Sequence, residues 1–241
     1  MSLPSSHILR KSLITGAREA EGVAVVIDVY RAFTSAALMM HLGAEKIVLL
    51  AEPEAVLKLK RERGYLAAGE VDGQRVPGFD LGNSPSRILA AGRELFAGRA
   101  VAQRTSAGVA GALAAARRSD VVILGSYVTV GAIARHVKGL SPPPATVSLV
   151  AMGAGGEEFT PEDEACADYI EHLLTDRPYD HTAALRRIVA HESTQKFLRG
   201  DQERFPSTDP IYCLQRNLFD FVIAATQENG QLVARRVDVR V

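Results

Sequence analysis

Val23-Ala24-Val25-Val26-Ile27-Asp28-Val29-Tyr30-Arg31-Ala32 sets five aliphatic residues in a row, then an acid, and shortly afterwards an arginine and an Ala-rich run. A short apolar run closed by a polar residue reads as a strand buried on both faces, as in parallel sheets. Residues 32–42 read as the helix after it. The same pairing recurs along the chain. Strand 46–50 precedes a helix over 53–63, with Pro53 near its start. Strand 100–102 precedes a helix over 109–118, and strand 121–124 a helix over 130–138. Beyond Ser141-Pro142-Pro143-Pro144, strand 146–150 leads to a helix over 161–174. Residues 180–198 read as one further helix. Near the end, runs over 219–226 and 232–237 flank Glu228-Asn229-Gly230, a hairpin turn signal. The expected fold class is therefore α/β, a mainly parallel sheet flanked by helices on both faces, with a C-terminal antiparallel hairpin. One α/β domain over 1–241 is expected, with residues 141–144 as a stiff connection where any subdomain division would fall.

Composition narrows the function classes. With 28 basic and 28 acidic residues, the formal net charge is zero, so no basic face for nucleic acid is implied. No apolar run approaches the ~18 residues of a membrane span. The N-terminal Met1-Ser2-Leu3-Pro4-Ser5-Ser6-His7 lacks the charged start and apolar core of a signal peptide, so a cytoplasmic location is expected. Cys166 and Cys213 belong to no CxxC and read as free thiols. The six histidines form no HxH or HExxH, so carboxylates must supply any metal site, which favours Mg²⁺ over zinc. The aliphatic content is compatible with a homodimer.

Ligands of parallel α/β sheets bind at the carboxyl ends of the strands, where helix N-termini offer free N–H groups. Reading those positions alone gives Asp28 and Arg31, then Gln103-Arg104-Thr105-Ser106, then Gly125-Ser126 with Thr129, then Gly153 to Glu158, and finally Thr160-Pro161-Glu162-Asp163. Ser106, Thr129 and Thr160 also suit helix N-caps, and acids in a first helical turn gain from the helix dipole. Gly153 to Gly156 lacks a complete phosphate-loop motif. Asp28, directly after a buried strand, points to function, while Arg31 suits either an ion pair with it or an anion. Gly69-Glu70 leads to Gly78-Phe79-Asp80-Leu81-Gly82-Asn83-Ser84-Pro85. That loop mixes glycines, an acid, an amide and a hydroxyl with two apolar residues. Phe79 and Leu81 would anchor it, and Asp80, Asn83 and Ser84 would face a ligand. Carboxylates, hydroxyls and arginines on one edge suit an anionic phosphate ligand with a divalent cation.

Taken in order, Val26 to Ala32, Gly69-Glu70, Gly78 to Pro85, Gly125-Ser126 and Glu162-Asp163 resemble the 2-phosphosulfolactate phosphatase family of the coenzyme M pathway. The resemblance implies an α/β fold and Mg²⁺-dependent hydrolysis of a small phosphate monoester. It transfers by position to Asp28, Arg31, Glu70, Asp80, Asn83, Ser84 and Glu162/Asp163. The chain departs from the family pattern at Tyr30, Phe33, Val71, Arg104 to Gly108 and Thr129, where an anionic substrate tail would be recognised.

The expectation is a Mg²⁺-dependent phosphatase with Asp28, Arg31, Glu70 and Asp80 as catalytic residues. Asp28, Glu70, Glu162 and Asp163 would supply metal ligands. Asn83, Ser84, Arg104, Thr105, Ser106, Gly125 and Ser126 would bind substrate. The rival is a catalytically silent α/β module that binds an anionic metabolite or partner.

Overall fold

The computed structural model describes residues 2–199 and 201–239. Its elements in chain order are β1 (Ile8–Ser12), α1 (Leu13–Arg18), β2 (Gly22–Ile27), α2 (Ala32–His41), β3 (Lys46–Leu49), α3 (Pro53–Arg63), β4 (Leu66–Val71) and β5 (Gln74–Arg75). Next come α4 (Pro85–Phe96), β6 (Ala100–Arg104), α5 (Gly108–Ala115), β7 (Ser119–Gly125), α6 (Val130–Lys138), β8 (Val147–Ala151) and α7 (Pro161–Thr175). The chain ends with α8 (His181–Ala190), α9 (Glu192–Arg199), α10 (Asp209–Cys213), β9 (Phe221–Glu228) and β10 (Gln231–Asp238).

All ten strands form one sheet, in the order β1-β8-β2-β7-β9-β10-β3-β6-β4-β5. Strands β1, β8, β2 and β7 are mutually parallel, as are β3, β6 and β4. The hairpin β9–β10 lies between these groups, antiparallel to β7 on one side and to β3 on the other. The two parallel groups therefore run in opposite directions, which the sequence reading did not foresee. Their carboxyl ends nevertheless meet: the Gly108 N–H, just past β6, donates to Asp28 Oδ2 past β2 at 2.8 Å. Sheet twist supplies a reason. At about 20–25° per neighbouring pair, the five steps from β2 to β6 leave formally opposed strands at an acute angle.

Side chains alternate across β2 as a two-faced strand requires. Ala24 and Val26 pack with α1, α2, α4 and α5, whereas Val23, Val25 and Ile27 pack with α6, α7 and α8. Helix α3 covers Ala67 and Ala102 through Val56, with Phe79 in the same cluster. Helices thus cover both faces.

The Asn229-Gly230 turn closes the hairpin with φ of 49° and 77°, and Glu228 pairs with Gln231. Expected helix 180–198 divides at His191, whose backbone is extended and whose ring accepts the Ser193 N–H at 3.1 Å. Strand β1 escaped the sequence reading because Arg10-Lys11 interrupts its apolar pattern. Arg10 instead pairs with Glu164 and Asp168 on α7, each at 2.9 Å.

Two glycines test this architecture. A Cβ at Gly230 would meet open space, so Gly230→Ala should cost only the left-handed backbone penalty, about 1 kcal/mol. A Cβ at Gly69, where φ is +128°, would lie 1.8 Å from the Arg104 carbonyl oxygen. Gly69→Ala should therefore lose several times more stability by forcing β4 from β6, and urea unfolding of the two variants compares them directly.

Candidate active site

Asp28 directly follows β2, the third strand from one edge of the sheet, and is 5% exposed. Its Oδ1 accepts the Ala32 N–H at 3.1 Å, and its Oδ2 accepts the Gly108 N–H at 2.8 Å. These bonds fix one carboxylate between the first turns of α2 and α5. A Cβ on Gly108 would stand 2.6 Å from Oδ2, so this approach requires glycine. Asp163, in the first turn of α7, accepts the Val29 N–H at 2.7 Å and the Gly153 N–H at 2.8 Å. Gly153 is thus a support for Asp163 rather than part of a phosphate loop. Beside it, Glu162 accepts the Ser193 hydroxyl at 2.7 Å.

Burial, and then the Glu70 and Glu162 charges, push the Asp28 carboxyl up to about 6 despite its two backbone bonds. Burial likewise raises Asp163 well above the ordinary range, with the Asp28 and Glu162 charges adding to it. Glu162 is raised chiefly by burial as well. These acids therefore share one poorly hydrated region and feel one another's charge.

Glu70 lies within β4 and closes the region from the other parallel group. Its Oε1 accepts the Ser106 N–H at 2.6 Å, and its Oε2 accepts the Gly73 N–H at 2.5 Å. Arg104 holds this corner by donating to the Glu70 carbonyl at 2.7 Å, Ser106 Oγ at 3.0 Å and the Ala51 carbonyl at 3.2 Å. Ser106 is not the N-cap of α5, a position held by Ala107, while the Thr105 hydroxyl accepts the first-turn Val109 N–H at 3.0 Å. The Gly125 carbonyl accepts the Asp28 N–H, and the adjacent Ser126 hydroxyl is buried without a partner among the described residues.

Arg31 does not pair with Asp28. It donates to Asp209 at 2.9 Å and to the Arg204 carbonyl at 3.0 Å, and lies over the Phe197 and Phe205 rings. Asp209, fully buried at the start of α10, also accepts the Ser84 hydroxyl at 2.9 Å and the Ser86 hydroxyl at 2.6 Å. The sequence reading missed Asp209. Its one local signal is an acid before Pro210 at a helix start, a pattern that an ordinary first turn shares. Asn83 is buried beside this junction, its carbonyl accepting the Ser35 hydroxyl at 2.7 Å. Asp80 stands apart from the acids. Its oxygens take Lys60 Nζ at 2.6 Å and the Ala67 N–H at 2.8 Å, which stitches the 78–85 loop to α3 and β4. Phe79 is buried and Leu81 partly so, as anchors of that loop.

Lys196 on α9 is the second residue absent from the sequence reading. Its charge interacts with Glu162, Arg31, Arg204 and Asp28, and burial lowers its pKa. Its ammonium lies over the Phe197 and Phe205 rings and makes no ion pair among the described residues.

Hard oxygen donors in a buried, mutually repelling group suit Mg²⁺ chemically. Among the described residues no three acidic, histidine or cysteine side chains close into a ready-made ligand cage. Mg²⁺ ordinarily takes one or two carboxylates and completes its octahedron with water and substrate phosphate. The donor set fits such an open site.

A carboxyl raised to about 6 binds its proton more tightly folded than unfolded, so its contribution lowers stability as pH rises from about 4 through about 6. Asp28→Asn removes that titration. In metal-free buffer its thermal midpoint should gain on the wild type as pH rises through about 6, and scanning calorimetry from pH 5 to 8 measures the gap. A gap independent of pH would refute the raised carboxyl.

A family model described as 2-phosphosulpholactate phosphatase matches residues 8–228, from the start of β1 to the end of β9. A Bacillus subtilis protein named probable 2-phosphosulfolactate phosphatase is 32% identical over 215 residues, covering 88% of this chain and 91% of the relative. A Thermus thermophilus protein of the same name is 39% identical over 178 residues, covering 71% and 72%. One from Carboxydothermus hydrogenoformans is 32% identical over 221 residues, covering 87% and 88%. The matched span holds the buried acids, Lys196 and Asp209, and the chain belongs to the 2-phosphosulfolactate phosphatase family of phosphoric monoester hydrolases.

Proposed function

We propose that this protein hydrolyses the phosphate monoester of a small anionic acid, 2-phosphosulfolactate or a related phosphorylated acid, with Mg²⁺ as cofactor. The observation that carries the reading is the convergence of Asp28, Glu162 and Asp163 with Glu70 in a buried region of a chain from this phosphatase family. Mg²⁺, when bound by some of these four acids, would offset their charge and polarise a phosphate oxygen.

The protein's own groups do the positioning. Backbone N–H groups of Ala32, Gly108, Val29 and Gly153 lock the orientations of Asp28 and Asp163, so the acids need no rearrangement as charge develops. Arg31 and Arg104 are largely engaged in holding Asp209 and the Glu70 corner. Lys196, whose charge interacts with Glu162 and Asp28, is the cation on the α9 side placed to neutralise the transferring phosphoryl group. Phosphoryl transfer depends mainly on such positioning and charge stabilisation.

Chelation should abolish turnover and added Mg²⁺ restore it. Asp28→Asn should lower kcat by about 100-fold or more, the scale of losing one preorganised electrostatic element. Tight binding of a phosphate ester with no metal-dependent turnover by the wild type would instead identify a silent binding module. Lys196→Gln should lower kcat/KM by about 10–100-fold, with partial recovery in Lys196→Arg, because a charge-assisted contact contributes about 1.5–3 kcal/mol. Steady-state kinetics of the three variants beside the wild type decides both points.

A further inference from the structure

A cleft of about 440 Å³ opens beside the buried acids, a volume suited to a small metabolite. Arg31, Arg75, Arg87 and Arg204 line it together with Asn83 and Ser84. It is physically tied to the acid region at two points. Arg31 lies three residues beyond Asp28, and Gly73, in the cleft wall, donates its N–H to Glu70 at 2.5 Å. The β4–β5 register also places Arg75 directly opposite Glu70.

The cleft carries positive charge that the protein itself does not neutralise. Arg31 is matched by Asp209. Arg75, Arg87 and Arg204 form no ion pair among the described residues. Their acceptors are backbone carbonyls, of Asp80 at 3.4 Å for Arg75, of Glu203 at 2.6 Å for Arg87, and of Asp72 for Arg204. Two acids also line the cleft. Asp201 is turned onto its own backbone, accepting the N–H groups of Glu203 and Arg204 at 2.8 and 3.2 Å. Glu203 is exposed, and its carboxylate forms no ion pair with a cleft arginine among the described residues. Guanidinium groups without carboxylate partners favour oxyanions that accept several N–H bonds at once.

We propose that this cleft binds the second, non-reacting anionic group of the substrate, a sulfonate or carboxylate, with Arg75 and Arg87 as the residues that select for it. The assignment rests on the phosphatase reading for the position of the phosphoryl group. It makes the substrate a small acid with two anionic ends, one at the buried carboxylates and the other in the arginine cleft. Arg75 and Arg87 are both exposed, so their substitution leaves the core intact.

The test compares three phosphate monoesters on the same carbon chain, bearing a sulfonate, a carboxylate or an uncharged amide at the far end. Arg75→Gln and Arg87→Gln should each raise KM for a charged ester about tenfold, the low end expected of a hydrogen bond to a charged group at an exposed site. KM for the amide should change less than about twofold. The larger loss, on sulfonate or on carboxylate, identifies which group the cleft prefers. Equal losses on charged and neutral esters, or none, would overturn the proposal. Should the wild type hydrolyse none of the three, the phosphatase reading fails separately. Calorimetric titration of the sulfonate-bearing ester then judges the cleft, with about tenfold weaker binding by the variants supporting it and equal affinity refuting it.

Discussion

Two backbone hydrogen bonds to one buried carboxylate organise this molecule. Asp28 takes the Ala32 N–H from the start of α2 and the Gly108 N–H from the start of α5. Since α2 leads from β2 to β3 and α5 from β6 to β7, the two bonds tie together both connections that cross between the parallel groups. Helix N-termini present free N–H groups and a partial positive charge, which makes an acid the natural partner there. Burial works against this arrangement and raises Asp28 to about 6. The fold keeps the ionisable group at that cost, as sites that must handle charge commonly do.

The same logic repeats around the site. Asp163 is held by the N–H groups of Val29 and Gly153, and Glu70 by those of Ser106 and Gly73. Three acids from three segments are thus oriented by backbone rather than by side-chain cations. Arginines serve a different purpose. Arg31 and Asp209 join α10 to the Ser84–Ser86 start of α4, and Arg104 braces Glu70. This separation leaves a buried anionic region beside a cationic cleft.

Much of the fold was legible in local sequence. The aliphatic run before Asp28, the Pro-started helices over 53–63 and 161–175, and the Asn229-Gly230 turn carry unambiguous local physics. Strand β1 was not legible, because Arg10 and Lys11 make its pattern polar and only the acids of α7 explain Arg10. Helix 180–198 could not be divided in advance, since no glycine or proline marks the break and the His191 ring does the capping. Within the site, Asp28, Glu70, Glu162 and Asp163 stood out as acids at strand ends or helix starts. Lys196 and Asp209 did not, because an amphipathic helix and a short helix start ordinarily carry such residues on the surface.

By itself, the sequence determined the strand–helix alternation, the closing hairpin and the acids available for chemistry, because these follow from periodicity, turn chemistry and the cost of placing charge beside aliphatic strands. Tertiary structure alone decided that the hairpin sits at the centre of the sheet, between parallel groups of opposite direction. It also directed Asp80 to Lys60 instead of the acids, and Arg31 to Asp209 instead of Asp28. Those outcomes depend on contacts between residues tens to nearly two hundred positions apart, for which no local pattern exists. Strand order and twist, not strand identity, brought the acids into one region.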